Sequence, residues 1–121
     1  MEQKNTLVLG ASANPARYSY LAIQRLRNHQ HPVFAIGKRT GTVNDVMIET
    51  EKKNYPGIHT ITLYLNQDHQ KEYYDYIISL KPQRIIFNPG AENPQLSSLA
   101  ADHNINTIEA CTLVMLSTGQ Y

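Results

Sequence analysis

Three consecutive apolar residues, Leu7, Val8 and Leu9, stop at Gly10. A polar loop holding Pro15 follows, and apolar positions then return at helical spacing as Tyr20, Leu21, Ile23 and Leu26. This pattern predicts a buried strand, a turn and a helix packed on a sheet. Pro32 breaks the helix, and the run 33–36 predicts a second strand that closes a right-handed βαβ unit. Residues 40–42 read as a turn, 46–50 as a short extra strand and 52–57 as a loop. The β-branched run 59–65 predicts another strand, and Asn66 is placed to cap a helix whose apolar face carries Tyr73, Ile77 and Leu80, widened by Tyr74 and Ile78. Tyr73, Tyr74 and Tyr76 are read as sheet-facing and rim positions of that helix, which Pro82 ends. A buried strand over 84–88, a turn over 89–93, a helix opened by Pro94, a strand over 105–109 and a closing helix from 110 complete the pattern.

Strands alternating with helices throughout predict an α/β fold: a Rossmann-like, doubly wound, mainly parallel sheet of about five strands in three α/β/α layers. The 121 residues, 41% hydrophobic and 17% charged, suit a single domain spanning 1–121. A formal net charge of +1 gives no electrostatic reason to expect nucleic acid or a membrane as partner. One cysteine, Cys111, excludes an internal disulfide, and no apolar stretch approaches the roughly 20 residues of a bilayer span. With no signal-peptide pattern at the start, the expected location is cytoplasmic.

In doubly wound sheets ligands bind beyond the carboxyl ends of the strands, which directs attention to residues 10–17, 37–39, 64–66, 88–93 and 109–112. The first loop brings a glycine, the Ser12 hydroxyl and the Arg17 guanidinium to a helix N-terminus, a place suited to phosphate. It lacks the G-x-G-x-x-G dinucleotide fingerprint, since Ser12 and Pro15 stand at the later glycine positions. No Asp or Glu lies between Gly10 and Asn44 to accept from a ribose diol, while Lys38 and Arg39 follow the second strand. The pattern therefore asks for a nucleotide with an additional phosphate, NADP or coenzyme A.

The run Gly10-Ala11-Ser12-Ala13-Asn14-Pro15-Ala16-Arg17-Tyr18-Ser19-Tyr20, with Asn88-Pro89-Gly90-Ala91-Glu92-Asn93 and Cys111, resembles the small single-domain CoA-binding protein family. More distantly it resembles the CoA-binding domain of succinyl-CoA synthetase α subunits. The resemblance covers nearly the whole chain and implies a cofactor-binding set of Gly10, Ala11, Ser12, Asn14, Arg17, Tyr20, Lys38, Arg39, Tyr64, Leu65, Gly90 and Asn93. Within it, Gly10, Ser12 and Arg17 match the pyrophosphate loop, and Lys38 and Arg39 the ribose-phosphate position. Tyr64 and Leu65 match the adenine side, and Gly90 and Asn93 the pantetheine path. The family's Pro-Val-Asn-Pro run at the end of strand two is Ala35-Ile36-Gly37-Lys38 here, and its arginine before the late cysteine is Ala110.

Around these loops the sequence offers no catalytic constellation. Glu92 and Glu109 fall at strand ends without a shared substrate position, and Ser12 has no histidine partner by motif. The five histidines are scattered, so no metal site is expected, and Cys111 reads as packing. The expectation is a cytoplasmic domain that binds CoA or an acyl-CoA without catalysis of its own. The alternatives are an NADP(H)-binding reductase-like domain or sensor, and a partner-binding subunit that has lost its ligand.

Overall fold

The computed structural model describes residues 2–121. Seven strands form one sheet: β1 (Thr6–Leu9), β2 (Val33–Ile36), β3 (Gly41–Val43), β4 (Val46–Glu49), β5 (Thr60–Leu63), β6 (Arg84–Phe87) and β7 (Asn106–Glu109), in the order β3-β4-β2-β1-β5-β6-β7. Every pair is parallel except β3 with β4. The sheet is thus the Rossmann-like α/β sheet the pattern predicts, with two more strands than expected.

Part of the difference is the residues read as a turn at 40–42. Gly41–Val43 instead pairs antiparallel with β4, and the turn is the two-residue connection Asn44 and Asp45. Asn44 takes a positive φ of 52°, which asparagine tolerates in tight hairpins. Arg27 fixes Asp45 from the side with two hydrogen bonds of 2.8 and 2.9 Å.

Helices cover both faces, and the period of two along each strand shows how. Leu7 and Leu9, Ile61 and Leu63, and Ile85 and Phe87 pack with Ile77, Leu80, Leu96 and Ala100 on one face. Those partners belong to α3 (Tyr74–Leu80) and α4 (Pro94–Asp102). Val8, Ala35, Ile48 and Ile86 pack with Ile23, Leu26, Met115 and Leu116 on the other. These come from α1 (Tyr18–Asn28) and α5 (Thr112–Ser117). Burial on both faces is why the central strands read as unbroken apolar runs. On α1 the fully buried positions are Ala22, Ile23 and Leu26, with Tyr20 and Leu21 at the rim.

The helix predicted after Asn66 is broken into a short α2 (Gln67–Gln70), a 3-10 turn (Lys71–Tyr73) and α3. Asn66 does cap it, accepting from the His69 N–H at 3.0 Å. No helix is long and apolar enough to cross a membrane among the described residues.

From β1 the chain crosses through α1 to β2 on one side, and after β4 it returns to β5 on the other. The connections therefore part between β1 and β5, and a crevice opens there at the carboxyl ends of the strands.

Candidate functional site

The loop after β1 is held by close backbone contact. Gly10 has φ +87°, and a Cβ on it would stand 2.6 Å from the Tyr64 carbonyl oxygen, so only glycine fits. Gly37, at the end of β2, is tighter still: its Cβ would lie 2.1 Å from the Ala11 carbonyl oxygen. The N–H groups of Gly10 and Ala11 both donate to the Ile36 carbonyl at 3.0 Å. Gly10 therefore shapes the loop, and its N–H is committed to the sheet.

Beyond Ala11 the loop is built from its own side chains. The Ser12 hydroxyl accepts from the Asn14 N–H at 3.1 Å, and Asn14 Oδ1 accepts from the Ala16 N–H at 3.0 Å. The Asn14 carbonyl accepts from the Arg17 N–H, also at 3.0 Å. Arg17 occupies the N-cap of α1 in extended conformation, and its side chain makes no capping bond. The first turn of α1 carries no acidic residue, so its positive end is left open to an anion.

These loops line one cleft of about 790 Å³ above the crevice. Gly10, Ala11, Ser12, Asn14 and Arg17 form one part of its lining, Lys38 and Arg39 a second, and Tyr64, Leu65 and Gly90 a third. Ten of the twelve residues singled out in the sequence thus meet around one space. The ion pairs among the described residues, Arg27 with Asp45, Lys53 with Glu49 and Lys71 with Asp68, leave Arg17, Lys38 and Arg39 without acidic partners.

Tyr20 and Asn93 stand outside the lining. Tyr20 packs against the core on the α1 face. Asn93 is 1% exposed, caps α4 by accepting from the Leu96 N–H at 3.1 Å, and donates to Gln70 Oε1 at 2.9 Å and the Tyr74 hydroxyl at 2.8 Å. Its environment is that of a helix cap in a buried network.

The lining also holds residues that the sequence reading did not single out. His69, Glu72 and Tyr73 form a wall facing Pro89, Gly90 and Ala91. His69 lies in α2 and Glu72 and Tyr73 in the 3-10 turn that follows it, so the unbroken helix that the sequence predicts does not by itself bring them together on the cleft. The sequence pattern predicts a sheet-facing or rim position for Tyr73; it lines the cleft, with Lys52 Nζ 5.0 Å from its ring centre. Lys52 also donates to the Glu72 carbonyl at 2.6 Å, tying the long loop after β4 to this wall.

Beneath the cleft lies a polar floor. Asn88, 3% exposed, donates to Thr62 Oγ1 at 2.7 Å and the Leu63 carbonyl at 2.9 Å, and accepts from the Thr112 N–H at 2.9 Å. The Thr62 and Thr112 hydroxyls bond each other at 2.8 Å. Asn88 thereby joins β5, β6 and the start of α5. The Tyr64 hydroxyl is buried beside this network without a hydrogen-bond partner, and burial pushes its ionisation well above the ordinary phenol range. Cys111, half-buried, is a free thiol at the N-cap of α5.

The chain matches the CoA binding domain family over residues 4–117. A crystal structure of an uncharacterized protein superimposes with a TM-score of 0.97 at 43% sequence identity, each chain covered over 100% of its length. A hypothetical protein from Pyrococcus horikoshii OT3 superimposes with a TM-score of 0.86 at 18% identity, over 96% of this chain and 83% of that one. A protein from Thermus thermophilus does so with a TM-score of 0.85 at 14% identity, over 98% and 91%. The last two show the shared fold. No curated protein matches the chain significantly.

Proposed function

Because the chain belongs to the CoA-binding domain family, we propose that it binds coenzyme A or an acyl-CoA in the cleft above β1 and acts as a binding module without catalysis of its own. One observation carries the reading: three cations without acidic partners, from two separate loops, border the same cleft as the open N-terminus of α1. In this reading the pyrophosphate lies across that helix end, met by Arg17 and the Ser12 hydroxyl. Lys38 and Arg39 take the ribose 3′-phosphate. Tyr64 and Leu65 flank the adenine, and Gly90 borders the pantetheine chain. Gly10, Ala11 and Asn14 set the loop's shape, while Asn93 and Tyr20 act through the elements they hold.

The test is to identify by mass spectrometry any small molecule released on denaturing the purified protein, and then to titrate CoA, dephospho-CoA and NADPH against thermal stability. A ligand at a hundred times its dissociation constant adds about 2.7 kcal/mol, readily seen in a melting curve. CoA is expected to bind more tightly than dephospho-CoA, and both more tightly than NADPH. Equal affinity for CoA and dephospho-CoA removes the role given to Lys38 and Arg39. Preference for NADPH replaces the proposal with the reductase-like reading, and no shift with any of the three favours a partner-binding subunit.

A further inference from the structure

The cleft has two ends of different chemistry. Lys38 and Arg39 stand on the β2 side, and Arg17 is at the centre. The opposite end, over β5 and β6, is walled by His69, Glu72 and Tyr73. On the reading proposed above, the phosphates take the first end and the centre, the adenine stays beside Tyr64 and Leu65, and the pantetheine chain passes Gly90, so the sulfur end of the ligand runs along the loop after β6 toward this wall. We infer that this second end offers a long acyl chain no apolar pocket, and so no added affinity, and that it disfavours acyl groups ending in a carboxylate.

Two features carry the inference. The first is a polar latch at the base of the wall. Gln70 is fully buried, and its Nε2 donates to the Leu65 carbonyl at 2.8 Å and the Ala91 carbonyl at 2.7 Å, while its Oε1 accepts from Asn93 at 2.9 Å. This latch ties the loop after β5 to the loop after β6, across the path by which an acyl chain would leave the cleft for the α3 and α4 core. Beneath it Leu9 and Leu63 are fully buried and Phe87 is 2% exposed, so the core is closed there. A second cavity, of about 380 Å³ between Ile78 and Ile105, shares no lining residue with the cleft. A long alkyl chain would therefore stay in water and gain none of the affinity that burying its methylenes would contribute.

The second feature is charge. Glu72 is exposed on this wall. The nearby Lys52 ammonium is held by the Glu72 main-chain carbonyl and the Tyr73 ring, and Lys52 does not line the cleft. An acyl group ending in a carboxylate meets Glu72 as a like charge.

The experiment is calorimetric titration of the purified protein with CoA, acetyl-CoA, succinyl-CoA and, below its micelle threshold, dodecanoyl-CoA. Expected are similar dissociation constants for CoA, acetyl-CoA and dodecanoyl-CoA, and about two- to fivefold weaker binding of succinyl-CoA, the range of an exposed charge pair. In Glu72→Gln, and in the unmodified protein at high salt, the succinyl-CoA to CoA ratio falls toward one. Dodecanoyl-CoA binding tenfold or more tighter than CoA, or a succinyl-CoA ratio that Glu72→Gln leaves unchanged, overturns the inference while CoA binding stands. Failure of CoA itself to bind overturns both readings.

Discussion

The two edges of the sheet handle polar groups in opposite ways. At the carboxyl edge the loops stand apart, and Arg17, Lys38 and Arg39 face a cleft with no acidic partner. At the amino edge a comparable set of basic groups is folded inward around one aromatic ring. Tyr121 is 7% exposed, its hydroxyl bonds to Thr6, its ring packs 4.8 Å from that of His31, and the Arg84 guanidinium lies 4.4 Å from its centre. Lys4 donates its N–H to His31 Nδ1 at 3.0 Å, and Arg84 Nε donates to Thr60 Oγ1 at 2.8 Å. Chemically similar side chains thus serve structure at one edge and are left available at the other. The fold separates them by closing one edge with a tyrosine and holding the other open with glycines.

Breaking the open edge is expected to have the largest effect. Gly37→Ala forces a methyl to within 2.1 Å of the Ala11 carbonyl. Backbone must shift to relieve it, with a loss of about 3 kcal/mol or more in urea unfolding and a corresponding loss of CoA binding by the folded fraction. Breaking the closed edge comes next. Tyr121→Ala removes the ring shared by His31 and Arg84 and exposes the Thr6 hydroxyl, at about 2–3 kcal/mol in the same measurement. It is expected to leave CoA affinity little altered, and a loss of binding equal to that of Gly37→Ala would mean that the two edges are coupled.

How far this division was legible in the sequence differs by edge. The open edge announced itself: Gly10 directly follows one apolar run, Ser12 and Arg17 lie further along the same loop, Lys38 stands just past the second run, and the strand-then-loop rhythm puts such positions at the carboxyl end. The strands were readable for the same reason, because burial on both faces leaves runs such as Ile85, Ile86 and Phe87 with no polar interruption. What escaped depended on contacts distant in sequence. Asn93 looks like turn chemistry until Gln70 and Tyr74 are seen beside it. The β3 hairpin escaped because Thr42, exposed, and Val43, buried, give too short an alternation to separate from a turn. Nothing in the sequence near His31 points to Tyr121, ninety positions away. The sequence predicts one unbroken helix through Tyr73, whereas Glu72 and Tyr73 stand on a 3-10 turn that directly follows Gln70, whose side chain is bonded to the Leu65 and Ala91 carbonyls.

Acid is a gentler way to test the closed edge. Burial first, then the charges of Lys4, His29, Arg84 and His59, lower the pKa of His31 below its ordinary 6.5; burial and then Arg84 and Lys4 do the same to His59. The unfolded chain therefore binds these protons more readily than the folded one. Their contribution is fully present above about pH 6.5 and is lost as the pH falls below it. Unfolding free energy is expected to decline from that point downward, ahead of any carboxylate titration. His31→Gln keeps a side-chain acceptor for the Lys4 N–H and is expected to flatten part of the slope, and an unchanged profile would show that His31 does not report on this edge.

The smallest expected effect on stability is also the sharpest test of the comparison, since it sets one arginine against another. Arg17 is exposed, has no acidic partner, and contributes only its backbone to the cap of α1. Arg17→Ala should therefore change the unfolding free energy by no more than about 0.5 kcal/mol. Arg84→Ala removes the cation over Tyr121 and the bond to Thr60, and should cost about 1–2 kcal/mol while leaving CoA affinity near its starting value. In CoA titration the order reverses: loss of a charge-assisted bond to pyrophosphate weakens the Arg17 variant about tenfold or more, and flattens its dependence on salt. A stable Arg17 variant with unimpaired CoA binding would leave that guanidinium as a solvated surface charge and move the phosphate contact to Lys38 and Arg39. A destabilised one would mean that the open edge, like the closed one, uses its cations to hold the fold.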